Sequence, residues 1–256
     1  MVAALSISQD NKQLDMSYTL ITGATSDIGI QICKTLEASG HNLLMTDLKQ
    51  ESLEEVRNGL QTPNQHQMLA LDLSNVEQSK EVLTSFMKEN EINVSYAVFA
   101  AGIFAVKPLR MIDYNYLKLS YDIAVFSIFS IMQVIASKKT NGDCLKSVVV
   151  ISSVNAKMGV KGYSVYASLK ASMLGLMKSL AVELAPKVRI NAVMPGAIKT
   201  RTTQFLFNAE EGVNPRYVLG EGKSQDVSNM IDFLLSDKSG WITGQEFVVD
   251  GGLTIN

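Results

Sequence analysis

Residues 18–29 read Tyr-Thr-Leu-Ile-Thr-Gly-Ala-Thr-Ser-Asp-Ile-Gly, and the architecture of the chain can be worked out from this stretch. An apolar strand over 18–21 runs into a glycine turn, and a helical pattern follows over 28–39, ended by Gly40. A strand, a glycine turn and a helix in this order place backbone N–H groups and a helix N-terminus against a pyrophosphate. A glycine turn that opens a helix is also common as plain structure, but the strand and helix context that the motif requires is met here.

Strand and helix patterns alternate along the rest of the chain. The further predicted strands are 41–46, 68–71, 96–100, 148–152, 188–193 and 246–249. The further predicted helices are 50–58, 76–90, 111–137, 166–184 and 226–235. Because the strands are rich in Val and Ile and lack apolar–polar alternation, they indicate an α/β fold whose parallel sheet is covered by helices on both faces.

The composition predicts one soluble α/β domain. The chain has 256 residues, 46% of them apolar, and a net charge of −2, which indicates no surface for nucleic acid. Two cysteines, Cys33 and Cys144, have no paired spacing, so a reducing, cytoplasmic location is expected. The two histidines, His41 and His66, are isolated, so we expect neither a bound metal nor a histidine-based triad.

Two segments are expected to lie outside the sheet and its helices. Residues 1–16 lack a basic start and a sustained apolar run, so we predict a flexible leader, not a signal peptide, before a single domain over 17–256. Residues 200–222 have scattered glycines and no periodicity, and we expect a lid over a substrate site. We find no apolar run long enough to span a membrane.

Three side chains suited to proton transfer have a spacing that lets them meet. Tyr166 and Lys170 are four residues apart on one helix face, and Ser153 lies thirteen positions before Tyr166, after the strand 148–152. A phenol is a poor base at neutral pH, but a nearby ammonium and a cationic nicotinamide ring would lower its pKa. Tyr166 could then exchange a proton with an alcohol or carbonyl oxygen that Ser153 holds in place.

Chance is the competing interpretation of the Tyr–Lys pair. With eight tyrosines, a Tyr-x-x-x-Lys spacing is expected in roughly every second chain of this composition. A second copy, Tyr114 and Lys118, has Ala101 and no hydroxyl thirteen residues upstream. The interpretation therefore depends on the other strand ends.

An acidic side chain follows the second strand. Asp47 lies about two dozen residues past the glycine turn, where a carboxylate accepts hydrogen bonds from an adenosine ribose and repels a 2′-phosphate. Lys49 is the only nearby cation in the sequence. NAD(H) is therefore favoured over NADP(H), although Asp47 could also cap the helix that starts near Gln50.

Other strand ends carry small or polar residues. Ala101-Gly102 follows the fourth strand and Pro195-Gly196 the sixth, where a cofactor could pass close to the backbone. Asp72 follows the third strand. It is expected to cap the next helix together with Ser74, and it could also face an adenine amine.

In this order and spacing, the residues resemble the classical short-chain dehydrogenase/reductase family over about 17–256. The matching motifs are Thr22-Gly23 to Gly29, Asp72-Leu73, Ala101-Gly102, Ser153, Tyr166 with Lys170, Asn191 to Pro195-Gly196, Thr200, 242–245 and 250–252. The resemblance implies a Rossmann-type, doubly wound parallel sheet of about seven strands, a nicotinamide cofactor and a small-molecule substrate. It also implies a homotetramer, or else a homodimer, in which helix 166–184 packs against its copy, consistent with an apolar surface nearly all round that helix.

The resemblance further implies roles for single residues. Ser153, Tyr166 and Lys170 would be catalytic, and Lys170 would also bind the nicotinamide ribose. Asp122 would hold the fourth catalytic position, to within a few residues. Ile198 and Thr200 would hold the carboxamide and a nearby phosphate. The expected cofactor-binding residues are Gly23, Thr25, Ser26, Asp27, Ile28, Gly29, Asp47, Leu48, Asp72, Leu73, Ala100, Ala101, Gly102, Tyr166, Lys170, Pro195, Gly196, Ile198 and Thr200.

The sequence departs from the family pattern in four places, one of which covers two residues. The middle glycine of the first turn is Asp27, and Phe99-Ala100 replaces two amide side chains before Ala101-Gly102. The fourth catalytic position, usually Asn, carries a charge as Asp122, which bears on rate and pH profile more than on reaction class. Val182 stands about where reductases of carrier-protein thioesters tend to have an arginine.

These observations favour an NAD(H)-dependent oxidoreductase that interconverts a secondary alcohol and a ketone. Two other enzymes stay open: an NADPH-dependent 3-oxoacyl thioester reductase, which Asp47 and Val182 disfavour, and a sugar or sugar-nucleotide dehydrogenase. A nucleotide-binding scaffold without activity is a further alternative, although Ser153, Tyr166 and Lys170 are all present.

Overall fold

The computed structural model describes residues 17–204 and 216–255, so the expected leader and the middle of the expected lid lie outside the described residues. The strands are β1 Ser17–Thr22, β2 Asn42–Asp47, β3 Gln67–Ala70, β4 Asn93–Phe99, β5 Ser147–Ile151, β6 Arg189–Pro195 and β7 Glu246–Val249. In the described part of the chain they form one seven-stranded parallel sheet in the order β3-β2-β1-β4-β5-β6-β7. The predicted Rossmann-type sheet is confirmed.

Helices cover both faces of this sheet. They are α1 Asp27–Ala38, α2 Gln50–Asn58, α3 Val76–Glu89, α4 Tyr114–Tyr121, α5 Ser127–Ile135, α6 Lys138–Asn141, α7 Ser164–Glu183 and α8 Ser224–Leu235. Their ends follow from the capping residues. The hydroxyl of Ser26 accepts a hydrogen bond from the Gly29 N–H at 3.0 Å, so α1 begins at Asp27.

The capping of α3 differs from the expectation. Its N-cap is Asn75, whose side chain accepts a hydrogen bond from the Gln78 N–H at 3.3 Å. Asp72 instead accepts hydrogen bonds from the N–H and hydroxyl of Ser74, at 2.9 and 2.6 Å. The prediction that Asp72 and Ser74 cap this helix was wrong, because the two side chains form a local turn that ends before the helix starts.

Alternate residues of each central strand fill two separate cores. Leu20 and Leu44 pack into the core that also holds side chains of α3, α5 and α7. The neighbouring Ile21 and Met45 pack into the opposite core, with side chains of α1, α2 and α8. All four are fully buried. Since successive strand residues face opposite sides, a strand buried on both faces must be apolar throughout.

A π-helical turn, Asp122–Phe126, joins α4 and α5 into one helical segment, Tyr114–Ile135. By length and composition alone, this segment of 22 residues could cross a membrane, which corrects the sequence expectation. In the sequence, polar residues such as Lys118 and Asp122 interrupt the apolar run of this segment. Most of the segment is buried inside the protein, as in the core helix of a globular fold.

The helix α7 has one buried side. Leu169, Met173 and Met177 belong to the core, at the spacing of a single helix face. Its outward positions include Ser164, Ser168, Ala171, Gly175, Lys178, Ser179 and Val182. The expected all-round apolar surface was therefore wrong, because small and polar residues cover the outer face.

The chain order reverses between β1 and β4. The strands β2 and β3 lie on one side of β1, and β4 to β7 lie on the other. In open α/β sheets, ligands bind outside the carboxyl ends of the strands at such a reversal. The predicted site residues follow these strand ends.

Candidate active site

Two glycines shape the turn after β1. Gly23 has a φ of +69°, and a Cβ there would lie 2.9 Å from the Ala101 backbone. A Cβ on Gly29 would lie 2.1 Å from the carbonyl oxygen of Gly23, far inside van der Waals contact. The absence of these side chains lets the turn fold tightly against the end of β4. The N-terminus of α1 is thereby placed at the crevice, as a bound pyrophosphate requires.

The end of β4 is held by a residue that sequence reasoning missed. The hydroxyl of Thr22 accepts hydrogen bonds from the N–H groups of Ala100 and Ala101, both at 3.2 Å. Thr22 is the last residue of β1 and is almost completely buried. It orders the backbone at the position where Phe99-Ala100 lacks the usual amide side chains.

Asp47 lies at the end of β2, directly against the glycine turn. One of its carboxylate oxygens, Oδ2, accepts hydrogen bonds from the N–H and hydroxyl of Thr25, at 3.0 and 2.7 Å. The other, Oδ1, accepts one from the Leu48 N–H at 2.8 Å. The N-cap residue of α2 is Lys49, so the alternative interpretation of Asp47 as the cap of that helix is not supported. The carboxylate is held between the glycine turn and the end of β2 instead.

A cavity of about 600 Å³ extends from the glycine turn across the ends of β4, β5 and β6. The predicted site residues that line it are Ser26, Asp27, Ile28, Ala100, Gly102, Ser153, Tyr166, Lys170, Pro195, Gly196, Ile198 and Thr200. Its volume is in the usual range for a small-molecule site. The structure thus brings most of the predicted residues together around one space.

The remaining predicted residues lie beside the cavity or away from it. Gly23, Gly29 and Ala101 support its wall through the close contacts described above. Asp72 is exposed, and the N–H of the preceding Leu71 donates to the Asp47 carbonyl oxygen at 2.8 Å, which keeps Asp72 near the end of β2. The side chain of Leu73 is buried in the core.

Three of the four residues predicted to be catalytic, Ser153, Tyr166 and Lys170, converge where β5 ends and α7 begins. The Ser153 oxygen accepts hydrogen bonds from the N–H of Asn155 at 3.2 Å and from its side-chain amide at 3.4 Å. The Lys170 ammonium lies 5.7 Å from the centre of the Tyr166 ring and donates to the Ile151 carbonyl oxygen at 2.7 Å.

Burial sets the proton affinities of this group. It raises the pKa of Tyr166 above its usual value, and a hydrogen bond with the Ser153 side chain only partly opposes this. Burial also lowers the pKa of Lys170 to about 8. In the chain without ligands, the pKa of the phenol is therefore raised and not lowered as expected, because desolvation has the larger effect.

Asp122 is not brought to this group. It starts the π-helical turn and is buried, and its carboxylate accepts a hydrogen bond from the Lys118 ammonium at 2.6 Å. It does not belong to the residues that line the cavity. A π-helical turn often marks a functional site, yet here it points this carboxylate at Lys118. A catalytic role for Asp122 stays a prediction.

Aromatic side chains that carry no sequence motif complete the wall around Tyr166. The rings of Phe104 and Tyr163 lie 5.0 and 6.1 Å from its ring, edge to face. Other apolar or aromatic lining residues outside the predicted set are Ile103, Val154, Met158, Val160, Tyr217 and Leu253. Their spacing along the chain follows no pattern, so only the folded chain identifies them.

Comparison with known proteins finds relatives over nearly the whole chain. A family model described as enoyl-(acyl carrier protein) reductase matches residues 23–254. The 3-oxoacyl-(acyl-carrier-protein) reductase FabG of Thermotoga maritima is 32% identical, over 95% of this chain and 100% of its own length. Cyclopentanol dehydrogenase of Comamonas sp. is 28% identical, over 93% of this chain and 96% of its own.

Solved structures agree with this similarity. One of 4-hydroxyisoleucine dehydrogenase complexed with NADH and succinate gives a TM-score of 0.82 at 25% identity, covering 93% of this chain and 100% of the other. ElxO with NADP bound gives 0.83 at 26% identity, covering 94% and 100%. Both nicotinamide cofactors occur among these similar proteins, so similarity alone does not select one of them.

Proposed function

Because this chain belongs to the short-chain dehydrogenase/reductase family and is an oxidoreductase acting on CH–OH groups, we propose that it interconverts a secondary alcohol and a ketone with NAD(H). The observation that carries the proposal is the convergence of Ser153, Tyr166 and Lys170 on the cavity that the glycine turn opens into. Two glycines without room for a Cβ, the N-terminus of α1 at the cavity and the Asp47 carboxylate at the end of β2 fit a dinucleotide.

Tyr166 exchanges the proton with the substrate oxygen. Without ligands, burial keeps its hydroxyl protonated, the form that a carbonyl group needs from an acid. The oxygen of Ser153 accepts from Asn155, so its hydroxyl can donate to the substrate oxygen in place of the hydrogen bond that it shares with Tyr166. The bound nicotinamide supplies or accepts the hydride.

Lys170 supplies the positive charge in this mechanism. With a pKa of about 8, its side chain is mostly protonated at neutral pH. The Ile151 carbonyl oxygen holds the ammonium below the Tyr166 ring. As Tyr166 gives up its proton, this charge stabilises the phenolate.

The proposed preference for NAD(H) rests on Asp47. Its carboxylate is fixed by Thr25 and Leu48 at the end of β2. There it can accept hydrogen bonds from ribose hydroxyls, and it would repel the additional phosphate of NADP(H).

The cavity lining supports a substrate with an apolar body. Phe104, Met158, Val160 and Tyr163 lie around the catalytic group. Polar side chains such as Asn155, Arg216 and Glu221 also line the cavity, so a sugar or sugar-nucleotide dehydrogenase stays an alternative. The runner-up is a 3-oxoacyl thioester reductase, favoured by the similarity to FabG. Against it stand Asp47 and the exposed Val182 on α7, about where such reductases tend to have an arginine.

We further propose that residues 17–256 form a single domain that works in the cytoplasm as a homotetramer. The support for an assembly is a set of large apolar side chains exposed on the outer side of the π-helical turn and α5. Phe126 and Phe129 are 45% and 46% exposed, which an interface between copies would cover.

Tyr166→Phe tests the mechanism. We expect turnover of the best alcohol or ketone from a substrate panel to fall by about a hundredfold or more, with the Kd for NADH within about twofold of wild type. The matched control is Tyr114→Phe, which alters the second Tyr-x-x-x-Lys pair, where the ring is 74% exposed. Unchanged turnover in Tyr166→Phe would refute the mechanism. Cofactor binding by wild type without turnover of any panel member would favour a scaffold.

A further inference from the structure

Asp27 replaces the usual glycine of the first turn, at the helix end where a pyrophosphate would bind. Asp27 is the first residue of α1 and lines the cavity beside Ser26. The positive end of a helix dipole attracts negative charge, so this carboxylate stabilises α1. It also occupies the helix end that a pyrophosphate needs. Left unpaired, it would repel that group.

Arg201 neutralises this carboxylate. Its side-chain Nε donates to Asp27 Oδ1 at 2.6 Å, and its backbone N–H donates to Oδ2 at 2.5 Å. Its Nη2 donates to the carbonyl oxygen of Thr25 at 3.0 Å. The guanidinium therefore binds both the carboxylate and the backbone of the glycine turn. It comes from the start of the expected lid, one residue after Thr200.

The segment that presents Arg201 is ordered by its own hydrogen bonds. The Thr203 hydroxyl donates to the Ile198 carbonyl oxygen at 2.5 Å and accepts from the Thr200 N–H at 3.0 Å. Thr200 and Thr203 also line the cavity. A turn held in this way positions the Arg201 backbone before its side chain binds, which reduces the entropy lost in making the ion pair.

We propose that the Asp27–Arg201 pair is an electrostatic clamp at the pyrophosphate part of the dinucleotide site. Arg201 cancels the charge that Asp27 places at the N-terminus of α1 and fastens residues 198–204 to the glycine turn. Arg201 is thus a positioning residue that acts through Asp27. The inference rests on the proposed function, because it requires a dinucleotide in this crevice.

A double-mutant cycle tests the clamp. NADH and ADP-ribose are titrated into wild type, Arg201→Ala, Asp27→Asn and the double variant. We expect Arg201→Ala to raise both Kd values by about tenfold, since it leaves an unpaired carboxylate beside the pyrophosphate site. Asp27→Asn and the double variant should stay within about twofold of wild type. Lys34→Ala removes an exposed cation elsewhere on α1 and serves as the control.

Two further readouts separate charge from structure. Adenosine, which lacks phosphate, should bind equally to all variants. The increase in the Kd for NADH caused by Arg201→Ala should become smaller as the salt concentration rises, because salt screens the repulsion. An unchanged Kd in Arg201→Ala overturns the clamp. The clamp is also overturned if Arg201→Ala raises the Kd for NADH by the same factor in wild type and in the Asp27→Asn variant, because Arg201 would then act without Asp27. Failure of wild type to bind either NADH or NADPH would instead refute the proposed function.

Discussion

Replacing Gly29 by Ala tests the physical basis of the cofactor turn. Alanine is favoured over glycine in a helix by about 1 kcal/mol, so substitution in α1 should by itself stabilise the protein. However, the new Cβ would lie 2.1 Å from the Gly23 carbonyl oxygen and 2.9 Å from the Ala24 backbone. Both neighbours are backbone atoms of a tight turn. The turn must move by more than an ångström to reach ordinary contact.

The change in the free energy of unfolding is the cost of overpacking less the gain in helix propensity. Overpacking of this kind costs about 1–3 kcal/mol, and an approach of 2.1 Å to a backbone oxygen places the cost at the upper end. After the gain of about 1 kcal/mol in helix propensity, the free energy of unfolding should fall by about 2 kcal/mol. For a chain of this size, Tm should drop by about 4–8 °C. The Ser26 cap on the Gly29 N–H is disturbed as well, so the Kd for NADH should rise by about tenfold or more. Thermal unfolding without ligand and NADH titration measure the two effects.

The control for this substitution is Gly59→Ala. Gly59 ends α2 with a φ of −85°, and a Cβ there would meet its nearest neighbour at 3.4 Å, an ordinary contact. Its Tm and Kd should stay close to those of wild type. If Gly29→Ala behaves like Gly59→Ala in both assays, the close approach of the turn does not constrain the site, and the reasoning is refuted.

Two further predictions concern charges at the site. Lys170→Met should abolish turnover yet raise the free energy of unfolding of the ligand-free protein at pH 7 by about 3 kcal/mol, since burial lowers the Lys170 pKa from 10.5 to about 8. Between pH 8 and 10.5 the unfolded chain binds a proton that the folded protein does not, so wild-type stability rises with pH across this range. The stability gained by Lys170→Met, measured by urea unfolding, should therefore vanish above pH 10.5. A gain that persists there contradicts a lowered Lys170 pKa. Asp47→Arg should lower the ratio of the Kd for NADP(H) to that for NAD(H) by about tenfold or more, because it replaces a repelling charge with an attracting one. A wild-type preference for NADP(H) in the same titration would show that Asp47 does not select the cofactor.

Part of the site followed from chain order alone. Strand ends are readable from apolar runs, and the carboxyl ends of parallel strands meet at one edge, so Ser153 and Asp47 could be assigned to the same crevice as the glycine turn. A helix places Tyr166 and Lys170 on one face through local geometry. Asp122 shows the limit of this approach, because a π-helical turn changes the direction of a side chain without a sequence pattern that predicts it.

By itself, the sequence determined the order of the elements, the parallel sheet and the spacing of the Ser–Tyr–Lys group, because these depend on short-range periodicity and on connections between neighbouring segments. Only the tertiary structure decided which charges are paired and how strongly each group holds its proton. Arg201 meets Asp27 across 174 positions of sequence, and burial, not Lys170, dominates the pKa of Tyr166. Both depend on solvent exclusion and on contacts between distant segments, which exist only once the chain has folded.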